Sequence, residues 1–192
     1  MKVYTMANSK ILYDTEYLQL KSTTTSLGKQ WVYAHRPNAK DVVVIVPVIN
    51  KSKVLFLIEK RPPMSAEGIG KYSIALPAGL VGDERKSETI EDAIRAELLE
   101  EAGLVADNVE IIAAKVASSP GCVSETFTIS IADINEYRVI SQPISDGGVI
   151  IDRELVNIDN IYNWLKEKEK NGYILTAQTL AALFYLQERN IK

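Results

Sequence analysis

Three glutamates, Glu97, Glu100 and Glu101, stand just ahead of Gly103-Leu104, and their spacing is unfavourable for a helix that holds nothing. The run from about Glu88 to Ala102 reads as a helix, with Ser87 as its N-cap and Gly103 as the residue that ends it. Ile90, Ile94, Glu97 and Glu101 recur at i, i+4, i+7 and i+11, so a stripe that begins apolar and core-facing ends in two acids. Glu100 adds a third charge at i+3 from Glu97. All three lie at the end of the helix where the dipole favours cations, and each like-charge neighbour costs about 0.2–0.5 kcal/mol on an exposed helix. A bound cation reverses that sign. Oxygen-only ligands select a hard ion, and a few carboxylates with water and substrate phosphate suit Mg²⁺ better than a closed Ca²⁺ cage, Mn²⁺ being the alternative. The competing reading, a solvated acidic helix end, leaves the inward-facing stripe unexplained.

Several elements must position this helix. Tyr17–Thr25 and Gln30–Arg36, rich in β-branched and aromatic residues, flank Leu27-Gly28-Lys29 and predict an N-terminal hairpin. Asp41–Ile49 is nearly all Val and Ile, as a buried strand is, and Val54–Lys60 returns beside it after Asn50-Lys-Ser-Lys53. Tyr72–Leu76 leads into Pro77-Ala-Gly79 and then the acidic helix. Further strands are expected near Val109–Val116, Phe127–Ile134 and Val149–Leu155. Two helices are expected to follow: Ile158–Lys170, ending at Asn171-Gly172, and Thr176–Arg189 with its apolar set Leu180, Leu183, Phe184 and Leu186. The pattern is of an α+β class, a mixed sheet covered by helices. Residues 1–40 form a strand-rich extension that cannot bury both faces alone, so pairing with a second subunit is expected there; residues 41–192 form the main domain.

Composition narrows the classes further. The chain has 192 residues, a net charge of −3, and no internal repeat. Its Lys and Arg residues are dispersed, which argues against a polynucleotide partner. One cysteine, Cys122, allows no intrachain disulfide. The longest apolar stretch, Val42–Ile49, contains Pro47 and is too short to span a bilayer, and the start Met-Lys-Val-Tyr has no apolar leader. A cytoplasmic protein without membrane contact is the expectation.

Gly82, Glu88, Glu97, Leu98, Glu100, Glu101, Gly103 and Leu104 together resemble the signature box of the Nudix hydrolases: glycine, five residues, glutamate, eight residues, then Glu-Leu-x-Glu-Glu-x-Gly-Leu. The arginine usual before the first helix glutamate is here Ala96; Arg95 sits one residue earlier, about 100° away around the helix. Arg61-Pro-Pro-Met64, Leu76-Pro-Ala-Gly-Leu-Val81, Ser119-Pro-Gly-Cys-Val-Ser-Glu125 and Asn171–Leu180 are similar to the branch that cleaves ADP-ribose and other nucleoside-diphosphate sugars.

The resemblance implies a Nudix fold, Mg²⁺-dependent hydrolysis of a pyrophosphate bond, and roles by position. Glu97 and Glu101 would be the principal metal ligands, Glu100 would contribute, and the Ala78 carbonyl would complete the inner shell. Glu88 would brace the helix start. Glu125 would bind metal or take the proton of the attacking water. Arg61 and Arg36 would contact the diphosphate and terminal sugar, for which the guanidinium fork is suited; a surface salt bridge is the alternative for Arg36. Trp31 would stack on adenine across a homodimer interface, or pack within that interface. His35 has no assigned role, and Trp164 reads as core. With ADP-ribose the products would be AMP and ribose 5-phosphate. The alternatives are another specificity, such as GDP-mannose, and a non-catalytic sensor that binds ADP-ribose.

Overall fold

Two sheets of different character follow from these patterns. The structure, a computed structural model, describes residues 9–83, 86–140 and 149–191; Glu84 and Arg85 of the charged loop lie outside them. Strands β1 (Lys10–Asp14), β2 (Gln19–Thr24) and β3 (Gln30–His35) make an antiparallel three-stranded sheet in that order. The β2–β3 hairpin turns through Gly28 at φ +76°, a backbone state that costs glycine little. Strand β1 is an addition to the expected hairpin: Ile11, Leu12 and Tyr13 are consecutive and all exposed, so no alternation marks a buried face.

The main sheet comprises β4 (Asp41–Ile49), β5 (Lys53–Glu59), β6 (Ser73–Ala75), β7 (Ala78–Val81), β8 (Asn108–Ala117), β9 (Thr126–Ile134), β10 (Ile150–Asn157) and β11 (Ile174–Leu175). Its helices are α1 (Pro62–Ala66), α2 (Ile90–Ala102), α3 (Ile161–Lys170), which follows a 3₁₀ turn at Ile158–Asn160, and α4 (Ala177–Ile191). Strands β4, β5, β6, β8, β9 and β10 fall within two residues of the expected runs; α1, β7 and β11 are additional.

Strand β4 is central because both its faces are covered. Val44, Val46 and Val48 join Phe56, Ile129 and Ile131 in a core under α3 and α4, to which Leu165, Ala182 and Leu186 belong. Val43, Ile45 and Ile49 join Ala93, Ile94, Leu98 and Ala102 of α2 on the other face. A continuous Val/Ile run is what burial on both faces demands. Trp164 packs against that first core, its ring 4.7 Å from Phe56, with its indole N–H donated to Glu154 at 3.0 Å.

Strand β4 runs parallel to β9 along Val42–Ile49 and antiparallel to its other partners. The β4–β5 turn uses Asn50 and Lys51 at φ +49° and +55°, the two left-handed residues of a tight hairpin. Only Val48 and Ile49 pair with β5; the first half of β4, Asp41–Val44, pairs instead with β7. Strand β5 meanwhile turns to β6 through Leu57–Glu59 and to β10 along its length. The two strands therefore part, and the β6–β7 connection crosses between them with the Pro77 carbonyl accepting from Ile45 N–H at 2.9 Å.

Helix α2 starts two residues later than expected. Its N-cap is Thr89, not Ser87: Thr89 Oγ1 accepts from Asp92 N–H and Asp92 Oδ2 accepts from Thr89 N–H, both at 3.1 Å. This reciprocal box satisfies two orphan donors, which the exposed Ser87 cannot do from three residues before the helix. Gly103 ends the helix as expected, at φ +70°, its N–H donated to Leu99 O at 2.9 Å and Leu104 N–H to Leu98 O at 3.3 Å. Thr89→Ala is expected to cost about 1 kcal/mol in urea denaturation, whereas Ser87→Ala leaves the midpoint unchanged; the reverse order would return the cap to Ser87.

Candidate active site

The parting of β4 and β5 opens a cleft of ≈ 650 Å³. Its floor is apolar, from Val42, Val44, Ala75 and Leu76. Helix α2 contributes Glu97, Glu100 and Glu101, and β7 contributes Ala78, Gly79 and Leu80. Glu59 and Arg61 enter from the end of β5, Arg36 from beyond β3, Glu125 from the loop before β9, and Thr176, Gln178 and Thr179 from the start of α4. Seven of the residues singled out in the sequence, Arg36, Arg61, Ala78, Glu97, Glu100, Glu101 and Glu125, thus face one space. Trp31 and Glu88 do not line it.

The acids of α2 lie against backbone. A Cβ at Gly79 would fall 1.7 Å from Glu97 Oε1, so only glycine lets that carboxylate rest on β7. Glu101 Oε2 accepts the Ala78 N–H at 2.9 Å. Burial pushes the Glu101 carboxyl up to about 7; the Ala78 N–H opposes the shift, the Glu59 charge adds to it, and Arg61 and Arg153 oppose it. Glu88 Oε2 accepts the Gly82 N–H at 2.8 Å, tying the loop before α2 to the helix approach. Gly82 has φ +82°. Arg95 does not turn toward Glu88: it pairs with Glu91 at 2.8 Å and donates to the Ala106 carbonyl at 3.0 Å.

Each cleft arginine is paired with an acid. Arg61 donates Nε and Nη2 to Glu59 at 2.7 and 2.8 Å. The Glu59 side chain is 1 % exposed and its carboxyl is raised by burial, with Arg61 opposing. Glu59 is not among the residues singled out in the sequence; its signal there is an acid ending an otherwise apolar strand, two residues from an arginine. Arg153, on β10, was also missed; its Nε donates to the Glu101 backbone carbonyl at 2.5 Å. Arg36 Nε donates to Glu125 Oε2 at 2.7 Å, so Arg36 forms the ion pair weighed as its alternative while also lining the cleft. Trp31 Nε1 donates to the Gly121 carbonyl at 3.0 Å, and His35 Nδ1 meets Ser124 Oγ at 2.9 Å.

The oxygen donor set fits a hard divalent cation. Among the described residues, no group of three or more His, Cys, Asp or Glu side chains is gathered into a ready cation cage. Mg²⁺ does not require one, because it keeps several waters and takes one or two carboxylates together with substrate phosphates.

The Glu101 shift carries a stability consequence. Its carboxyl binds a proton more tightly folded, at about 7, than at its ordinary 4.5. That contribution is therefore complete below about 4.5 and lost as pH rises through about 7, amounting to about 3 kcal/mol. Without divalent cations, the wild type is expected to lose that stability between pH 5 and 8 relative to Glu101→Gln, measured by urea denaturation. Parallel pH profiles for the two would refute the buried-acid assignment.

Comparison with known proteins agrees with this architecture. No curated protein matches the chain in sequence. Among solved structures, an ADP compounds hydrolase superposes with a TM-score of 0.70 at 20% identity, covering 94% of this chain and 90% of that one. The NUDIX domain of NrtR from Shewanella oneidensis, crystallised with ADP ribose, superposes with a TM-score of 0.54 at 16% identity, covering 77% of this chain and 86% of that one. Both likenesses are of fold. The NUDIX domain family model matches residues 39–176, which contain the split between β4 and β5, the glycine-backed acids of α2 and the loop of Glu125, and the chain accordingly belongs to the NUDIX family of hydrolases.

Proposed function

We propose that the cleft hydrolyses the pyrophosphate bond of ADP-ribose, giving AMP and ribose 5-phosphate, or of a related nucleoside-diphosphate sugar. The observation that carries this reading is the meeting of two arginines with five glutamates in one cleft. Arginines grip phosphate through fixed donor forks, while clustered carboxylates hold the cation that a diphosphate needs. The ADP compounds hydrolase and the NUDIX domain crystallised with ADP ribose support the adenine-nucleotide class.

Glu97 and Glu101, with Glu100 and the Ala78 carbonyl, would hold Mg²⁺ or Mn²⁺. When bound, the ion supplies charge neutralisation at the phosphates and in-line orientation of attacking and leaving oxygens. The chain's own groups do the rest. Arg61 and Arg36 bind the diphosphate and the sugar beyond it. Glu125 takes the proton of the attacking water once phosphate draws Arg36 away from it. Glu88 fixes the loop through Gly82, and the apolar floor of Val42, Val44 and Leu76 limits water. The extension serves a homodimer: Tyr13, Tyr17, Leu27 and Trp31 are exposed on it, an apolar surface suited to a second copy, where the Trp31 ring would stack on adenine. No described helix is long and apolar enough to cross a membrane.

A second reading rests on Ala96. With Arg95 turned to Glu91 and Ala106, the box lacks its usual arginine beside Glu88, as would suit a module that binds ADP-ribose without cleaving it.

Phosphatase-coupled phosphate release in Mg²⁺, across ADP-ribose, GDP-mannose, UDP-glucose, diadenosine polyphosphates and nucleoside triphosphates, separates these readings. ADP-ribose is expected to be preferred, with Glu101→Gln lowering turnover by about 100-fold or more. Gly79→Ala is expected to fold, since only the end of Glu97 must move, and to lose turnover as well. Tight ADP-ribose binding with no turnover on any compound would select the sensor. Light scattering at micromolar concentration is expected to give a dimer mass; a monomer mass would remove the homodimer.

A further inference from the structure

The loop that carries Glu125 joins β8 to β9, residues 118–125, and is longer than a hairpin connection needs. Its own closure is slight. Ser118 N–H reaches the Glu125 carbonyl at 3.3 Å, and Cys122 and Val123 N–H both share the Ser119 carbonyl at 2.9 Å. These bonds shape the turn but do not fasten it to the body of the protein.

The fastening comes from the extension. Along β3 and the residue after it, the chain runs beside the loop as a short parallel bridge, Ala34 opposite Val123. Trp31 Nε1 donates to the Gly121 carbonyl at 3.0 Å, Ala34 N–H donates to the Cys122 carbonyl at 2.8 Å, and Ser124 N–H donates back to the Ala34 carbonyl at 3.1 Å. His35 Nδ1 meets Ser124 Oγ at 2.9 Å, and Arg36 reaches Glu125 itself at 2.7 Å. Five successive loop residues, from Gly121 to Glu125, are thereby placed by a sheet outside the fold that houses the acids of α2.

We propose that β3 is a tether for the Glu125 loop, with Trp31 and His35 as positioning residues acting through Gly121 and Ser124. The proposal deepens the hydrolase reading, since it supposes that Glu125 takes part in turnover. A reacting group must be held to within a fraction of an ångström, and a loop reaches that precision only when rigid elements support it. The tether also gives Trp31 a task within its own chain: its indole N–H is spent on the loop while its ring stays half exposed.

Trp31→Phe separates tether from stacking, because phenylalanine keeps an aromatic face, though a smaller one, and has no N–H donor. Ser124→Ala removes the His35 contact without touching the cleft acids. Each is expected to lower kcat for ADP-ribose by roughly five- to tenfold, the scale of one lost hydrogen bond, with KM within about twofold. Amide hydrogen exchange over residues 119–125 is expected to quicken in both variants while α2 stays protected. On a Glu125→Gln background, Trp31→Phe should cost no further turnover. A rise in KM alone, with loop exchange unchanged, would overturn the tether and return Trp31 to base stacking. If Glu125→Gln leaves kcat intact, the proposed role of Glu125 fails; the exchange measurement then decides the tether by itself, faster exchange upholding it and unchanged exchange overturning it.

Discussion

A helix with three acids in its last turns can lie on a sheet only where the sheet offers it backbone. Strand β7 does so at successive residues: Gly79 has no Cβ to meet the Glu97 carboxylate, and Ala78 presents its N–H to Glu101. Interleaved with these acids, Ala93, Ile94, Leu98 and Ala102 of the same helix fill the core against β4. The apolar half of α2 therefore sets the height at which its acids meet β7. The desolvation of Glu101 is the cost of this arrangement, and it falls where the cation proposed for the site would offset it.

Strand pairing makes the space that those acids face. Strand β4 needs partners along its whole edge, yet β5 accompanies it only through Val48 and Ile49 before turning to β6. The vacated edge is taken by β7, which brings Ala78 and Gly79 to α2 and leaves a cleft between the diverging strands. The same divergence carries Glu59 and Arg61 to the cleft's rim. Burying Glu59 is unfavourable unless its charge is met, and two parallel bonds from Arg61 meet it. A guanidinium so held is pre-organised for phosphate, which is the work proposed for it.

The extension stands outside this core but is not independent of the cleft. It exposes several large apolar side chains, Tyr13, Tyr17, Leu27 and Trp31 among them, while its third strand runs beside the loop of Glu125. Through the Arg36–Glu125 pair the residue after β3 and the loop before β9 share one wall of the site. A substrate phosphate that draws Arg36 would change the surroundings of Glu125 at the same moment, so binding and proton transfer would be coupled through a single ion pair.

What could be read along the chain was what depends on neighbours in sequence. The Val/Ile run of β4, the i, i+4, i+7 stripe of α2 and the glycine that ends it are set by local period and backbone freedom, and they appear where expected. Even there the cap moved from Ser87 to Thr89, because reciprocal bonding with Asp92 outweighed an isolated serine. Glu59 lay just within reach of such reading, since residues i and i+2 on a strand share a face with one another. The pairing of Arg36 with Glu125 across 89 residues did not, nor did the bond from Trp31 to Gly121 or that from Arg153 to Glu101. Local chemistry thus specified the box, its helix and the class of ion its oxygens suit. Only the tertiary structure decided which charges meet, because those contacts follow from the register of distant strands, and register is a property of the packed sheet rather than of any one segment.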